Sequence, residues 1–112
     1  MEYPEFAVAE RRYAGCAVVV VRGEVDVDTA PDVWVVARQA VDTDPLSLII
    51  DCTGVTFFGS TGISLLLELR GMCREHGLPF RLVADSRAVL RPLEVTDLLR
   101  EFVILQDIAA AC

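Results

Sequence analysis

Apolar residues along this chain form two alternating patterns, short continuous runs and helical stripes. The runs predict strands, because a strand that is covered on both faces is apolar throughout. They cover residues 6–9, 16–21, 46–52, 80–83 and 102–105. Ala14-Gly15 lies between the first two and favours a hairpin turn. The second run is β-branched without interruption and predicts a central strand.

The first predicted helix follows the second strand. Thr29 and Asp32 have the spacing of a capping box at its start, and Asp44-Pro45 ends it. Its apolar stripe faces the core. Trp34 falls off that stripe, where it is a candidate for contact with a partner.

The second predicted helix extends from about Ser60 to His76, and Gly77 favours the left-handed conformation that ends helices. Its apolar arc is wider than half the circumference. One part of the arc suits the core: Ile63, Leu66, Leu67 and Cys73. A second line at helical spacing consists of Leu65, Leu69 and Met72. This line is predicted to be either a partner surface or a face covered by neighbouring structure.

Ser86 is predicted to cap a short third helix that Pro92 interrupts, and an alanine-rich tail follows the last strand. Strands that alternate with helices of these lengths predict an α/β layer fold. We expect one domain over residues 1–112.

The composition narrows the function classes. The 112 residues are 54% hydrophobic, enough for a single core, and the net charge of −7 argues against nucleic acid or an anionic membrane as partner. No stretch has the roughly 20 apolar residues that cross a bilayer. The segment Met1–Glu5 lacks the features of a signal peptide, which predicts a cytoplasmic protein with reduced thiols. The four cysteines form no CxxC pair and there is one histidine, so no metal site is expected.

A candidate switch lies in the turn Phe57-Phe58-Gly59-Ser60-Thr61-Gly62, between a buried strand and the second helix. The N-terminus of a helix has unpaired N–H groups and a positive dipole end. A hydroxyl there, on Ser60 or Thr61, can cap the helix, and a phosphate is also well tolerated at such a place.

A loop rich in carboxylates precedes the first helix. Asp26 and Asp28 could bind a cation, but acidic residues are also common beside helix N-termini because of the dipole. The second interpretation is favoured.

Several segments together resemble the STAS family, whose stand-alone members are bacterial anti-sigma factor antagonists. Gly23-Glu24-Val25-Asp26 is similar to the Gly-Glu-Leu-Asp at the end of the family's second strand. Residues 49–57 are similar to its Asp-Leu-Ser-Gly-Val-Thr-Phe strand and turn. Ser60-Thr61-Gly62 matches the family's phosphorylation motif, and residues 89–98 are similar to its third helix.

The resemblance implies a mixed sheet of four to five strands with about four helices packed against it. It also implies that the protein binds an anti-sigma factor of the kinase-like ATPase fold and thereby frees a sigma factor. This binding ends when the partner kinase phosphorylates Ser60. Thr61 is the less favoured acceptor. ATP and magnesium belong to the partner, so no cofactor or catalytic residue is expected here. The implied partner surface consists of Asp26, Asp28, Thr29, Gly59, Ser60, Thr61 and Gly62, to which Leu65, Leu69 and Met72 are added by their spacing. Gly59 stands where the family commonly has Asp.

Three alternatives remain open. The chain could be a non-phosphorylated STAS subunit of a transport or other signalling assembly. An enzyme with Ser60 as nucleophile is disfavoured, since His76 lies about 24 Å along the helix at 1.5 Å per residue and no Gly-x-Ser-x-Gly elbow is present. Cys73 and Cys112 could form a redox pair, with burial of the cysteines as the competing interpretation. Homodimerisation is left open.

Overall fold

A computed structural model describes residues 6–112, so the signal-peptide interpretation of Met1–Glu5 lies outside the described residues. The elements, in chain order, are β1 (Phe6–Tyr13), β2 (Cys16–Glu24), α1 (Ala30–Val41), β3 (Leu48–Phe57), α2 (Gly59–Glu75), β4 (Phe80–Val83), α3 (Arg87–Val95), a 3₁₀ turn (Leu99–Glu101), β5 (Val103–Leu105) and α4 (Ile108–Ala111). No helix in this part of the chain is both long and apolar enough to span a bilayer.

The five strands form one sheet in the order β1-β2-β3-β4-β5. β1 and β2 are an antiparallel hairpin, and each later strand is parallel to the one before it. The carboxyl ends of parallel strands meet at one edge of a sheet. The segments that follow β2 and β3 therefore lie side by side, and these are the acidic loop and the serine-containing turn.

The main core lies between one face of the sheet and the helices α1, α2 and α3. Alternate residues of β2 and β3 point into it, Val19 and Ile50 among them, because side chains alternate across a strand. The other face carries a smaller cluster in which Ala111 of α4 packs near Val18 and Ile49. The predicted mixed α/β sheet with about four helices is confirmed, and so is the prediction that β2 is an interior strand covered on both faces.

Several predicted boundaries were wrong. β1 extends to Tyr13 instead of ending at residue 9, because its hairpin pairing with β2 continues to the turn. β3 extends past residue 52 to Phe57, paired there with the end of β2. Pro92 lies inside α3 without interrupting it, and the alanine-rich tail forms α4.

A disulfide joins Cys16 at the start of β2 to Cys112 just after α4. The prediction of four reduced thiols was therefore wrong for these two residues. The proposed pairing of Cys73 with Cys112 was also wrong, since Cys73 is a buried free thiol in α2. Sequence spacing gave no signal, because the two bonded residues are 96 positions apart and meet only when α4 packs on the sheet.

We expect reduction of this disulfide to lower the free energy of unfolding by about 2–4 kcal/mol, because a cross-link over a long loop restricts the unfolded chain. The measurement is urea unfolding with and without dithiothreitol. Cys112→Ser is the control, since it should unfold at the same urea concentration in both buffers. An unchanged midpoint of the unmodified chain on reduction would contradict the prediction.

Candidate functional site at the sheet edge

The acidic loop after β2 is held together by its own side chains. The Asp26 carboxylate accepts hydrogen bonds from the N–H groups of Asp28 (2.9 Å) and Thr29 (3.1 Å). The Thr29 hydroxyl donates to the carbonyl of Glu24 (2.8 Å) and accepts from the N–H of Asp26 (2.9 Å). These bonds satisfy backbone groups that a loop would otherwise leave to water.

These hydrogen bonds alter the predictions about the start of α1 and about the acidic side chains of the loop. Thr29 occupies the N-cap position of α1, but its side chain makes no capping bond, so the capping box with Asp32 was wrong. The side chains of Asp26 and Thr29 hydrogen-bond within the loop, whereas Asp28 is exposed. Within residues 6–112, no three acidic, histidine or cysteine side chains come together as a metal site.

The loop is tied to the turn that carries Ser60. The N–H of Val25 donates to the carbonyl of Phe57 at 2.8 Å, just beyond the paired strands. Val25 and Phe58 are both buried and anchor their segments in the core. The acidic loop and the turn are therefore positioned together.

Ser60 is exposed in the first turn of α2, and it does not cap the helix. The N-cap position is Phe58, and no side chain caps this end, so the predicted capping by Ser60 or Thr61 was wrong. The first backbone bond of the helix runs from the N–H of Gly62 to the carbonyl of Phe58 (3.1 Å). The N–H groups of residues 59–61 therefore lack intrahelical acceptors, and a negative group on Ser60 would be favourable there.

Gly59 is required by the backbone of the turn. Its φ is +62°, in the left-handed region, and an added Cβ would lie 3.1 Å from the Phe57 ring. A side chain here would cost strain of about 1–3 kcal/mol. In this chain, the position that commonly holds aspartate in the family is therefore a left-handed glycine against Phe57.

Gly62 is required for a different reason, which is packing. It is buried and helical, and an added Cβ would lie 2.5–2.6 Å from atoms of the Phe58 ring. Gly62, predicted to belong to the partner surface, is thus buried against Phe58.

Of the two interpretations of the apolar line on α2, the structure favours coverage by neighbouring structure. Leu65, Leu69 and Met72 are buried, with Leu69 fully inaccessible, because α1 and α3 both pack against α2. Besides Phe57 in the turn itself (53% exposed), the apolar side chains that reach the surface on this side are Val27 (73% exposed) and Val35 (50% exposed). Neither was predicted, although Val35 lies next to Trp34 off the core stripe of α1.

A groove of about 460 Å³ lies between α1 and α2 beside this edge. Val27 and Thr61 both line it, which joins the acidic loop and the Ser60 turn in one surface. Leu65 forms part of its floor, so this residue of the predicted line contributes to the site from below.

The two free thiols are unsuited to redox chemistry. Burial raises the pKa of the Cys52 thiol to about 12, with the charge of Asp51 adding to the shift, and burial raises that of Cys73 to about 11. The thiolate is the reactive form, so both cysteines are inert near neutral pH. His76 lies at the carboxyl end of α2, at the opposite end of the helix from Ser60.

The STAS domain family matches residues 7–111. The chain belongs to the STAS family. RsfB of Mycobacterium tuberculosis, an anti-sigma-F factor antagonist, is 30% identical over 88 residues, which are 79% of this chain and 71% of RsfB. RsfA of the same organism, also an anti-sigma-F factor antagonist, is 30% identical over 84 residues, or 72% of this chain and 65% of RsfA.

Solved structures agree with this STAS assignment. An anti-sigma factor antagonist from Mycobacterium paratuberculosis superposes with a TM-score of 0.82 at 28% identity, covering 99% of this chain and 95% of that protein. The anti-sigma factor antagonist SpoIIAA of Bacillus, unphosphorylated, superposes at 0.77 and 16% identity over 94% of this chain and 93% of its own, which shows the shared fold.

We expect Gly62→Ala to lower the free energy of unfolding by about 1–3 kcal/mol, because the methyl group would displace the buried Phe58 ring. Gly71→Ala is the matched control in the same helix. Nothing lies within 4 Å of its added Cβ, so it should raise stability by about 0.5–1 kcal/mol. Urea unfolding measures the stability of both variants. A Gly62→Ala variant more stable than the unmodified chain would contradict the close packing of Gly62 against Phe58.

We also expect iodoacetamide at pH 8 to leave the native, disulfide-bonded chain unlabelled, because both free thiols are buried and protonated. In denaturant, Cys52 and Cys73 should each take one label, as intact mass would show. Because the pKa values of Cys52 and Cys73 are raised in the folded chain, their thiols ionise above about pH 9 only when the chain unfolds. The free energy of unfolding should therefore decline with rising pH above about 9. Rapid labelling of the native chain would refute the assignment of these thiols as inert.

Proposed function

We propose that this STAS protein is an anti-sigma factor antagonist controlled by phosphorylation of Ser60. Its partner is an anti-sigma factor of the kinase-like ATPase fold, and binding frees a sigma factor. The observation that carries the proposal is the state of Ser60, a hydroxyl exposed at a helix N-terminus and not used as a cap. The names of RsfA, RsfB and the mycobacterial structural relative support the same function.

Ser60 suits phosphoryl transfer because its hydroxyl is accessible to a second protein. In the proposed reaction, the Ser60 oxygen bonds to the γ-phosphorus of ATP held by the partner while the bond from that phosphorus to the β–γ bridging oxygen breaks. The hydroxyl proton passes to a base of the kinase, and ADP leaves. This chain supplies only the acceptor. Thr61 is the weaker acceptor since it is partly buried.

The phosphate should leave this domain folded. It adds about −1.5 to −2 charges and three acceptor oxygens next to the unpaired N–H groups of residues 59–61. Phosphorylated SpoIIAA has the same fold, with a TM-score of 0.70 at 15% identity.

The phosphate should weaken the complex with the partner. A kinase that reaches Ser60 holds nucleotide phosphates close to it, so the transferred phosphate and the remaining nucleotide repel each other. Exposed Asp28 adds negative charge on this side. A tenfold loss of affinity requires only about 1.4 kcal/mol, so local repulsion suffices without a conformational change.

The test uses the purified kinase-type anti-sigma factor of the source organism with ATP and Mg²⁺. Intact mass should show one added phosphate on the unmodified chain and none on Ser60→Ala. Ser60→Ala should still bind, and Ser60→Asp should lose at least about tenfold in affinity, because it places a charge where the nucleotide approaches. Calorimetric titration measures the affinities.

Gln39→Glu is the charge control, since Gln39 is exposed in the later part of α1 and its variant adds the same single charge away from Ser60. It should bind like the unmodified chain. Binding without phosphorylation, and unaffected by Ser60→Asp, would reject the switch and favour the alternative of a non-phosphorylated STAS subunit in a larger assembly.

A further inference from the structure

The groove between α1 and α2 has an apolar lining that folding leaves open to solvent. Val27 and Val35 expose 73% and 50% of their surface, and Trp34 is half-buried beside them. α1 directs its other apolar residues, such as Val33 and Ala37, into the core. Half of the Val35 surface therefore stays open to solvent instead of joining the core.

The ionisable residues beside the groove are mostly acidic. Among the residues that the structure describes, Glu68 is the only ionisable one in the lining, and Asp28 and Asp32 are exposed directly beside lining residues in the chain. No described arginine belongs to the lining; the exposed Arg38, one turn after Trp34 on α1, is the one cation next to it in that helix. An occupant that is apolar at its centre and cationic at its margin would match this surface.

The groove is also continuous with the proposed phosphorylation site. Thr61, next to Ser60 in α2, lines its end, and Val27 belongs to the loop that is tied to the Ser60 turn. A protein that covers Ser60 would thus extend over the groove.

We propose that the groove binds an apolar side chain of the anti-sigma factor that is flanked by arginine or lysine. This inference rests on the proposed function and names how the partner is recognised. The apolar anchor supplies affinity by leaving water, and the cations facing Glu68, Asp28 and Asp32 supply selectivity and a faster encounter. A second copy of this chain would bring another acidic face and is disfavoured.

Another open cleft, lined by Arg70 and Phe102, is less suited to a docked side chain. It lies at the far end of α2, and its Arg70 is already engaged. Arg70 donates to the carbonyl of Glu101 (3.0 Å) and stacks on the Phe102 ring (5.2 Å to the centroid).

The test compares affinities of variants for the purified kinase-type anti-sigma factor. Val35→Asp should lower affinity at least about tenfold, because it buries a charge against the apolar anchor, and Val35→Leu should retain binding. Val95→Asp is the matched control, since Val95 is 66% exposed at the end of α3, away from the groove. Circular dichroism checks that each variant is folded.

Glu68→Lys tests the charge. It should lower affinity about threefold to tenfold at low salt and flatten the dependence of affinity on NaCl, because it removes an attraction that salt screens. An affinity that rises with Glu68→Lys would overturn the proposed cationic margin.

Trp34 gives a direct readout, since it is the single tryptophan of the chain and lines the groove. Fluorotryptophan incorporated into this chain alone should give one fluorine NMR signal that shifts on complex formation. If the partner binds without shifting this signal and Val35→Asp binds normally, the groove is rejected as a docking site while the proposed function stands. No binding by the unmodified chain would reject both, and a Val35-dependent homodimer of the chain alone would assign the groove to a second copy.

Discussion

The functional edge of this protein depends on the parallel pairing of β2 with β3. That pairing brings two segments 30 or more positions apart to the same side of the sheet, and the hydrogen bond from Val25 to Phe57 closes the pair beyond the last strand residues. Without this register the acidic loop and the Ser60 turn would be unrelated surfaces. Because Val25 and Phe58 are core residues, the geometry of the edge is supported by the same burial that stabilises the fold.

Polar groups at this edge divide into those that folding uses and those it leaves free. Asp26 and Thr29 satisfy backbone groups of the loop, and the two glycines of the turn serve backbone conformation at Gly59 and close packing at Gly62. Ser60 and Asp28 have no comparable structural duty. Side chains that can be modified or covered at little cost to stability are the ones available for regulation, which is why we propose Ser60, exposed and not used as a cap, as the regulated residue.

The sequence patterns predicted the element order, the central β2 and the position of the turn, because these follow from local periodicity and from glycine and proline signals. They failed where neighbours decide the outcome. The apolar line of Leu65, Leu69 and Met72 could have faced a partner or other helices, and only the placement of α1 and α3 decides that it is core. Likewise, Cys16 and Cys112 meet only after α4 covers the sheet. Val27 and Val35 were missed because two exposed residues on separate elements have no shared period.

In the proposed complex, negative charge on this surface either attracts the partner or repels it. The position of the charge on the surface decides between the two effects. Carboxylates beside the groove face the partner's cations, so they favour encounter, and their effect declines with salt. A phosphate on Ser60 adds charge of the same sign at the point where the partner holds its nucleotide, so there it opposes association. The unpaired N–H groups of the first turn of α2 stabilise the phosphorylated domain itself. In this proposal, phosphorylation separates the two proteins while this chain stays folded.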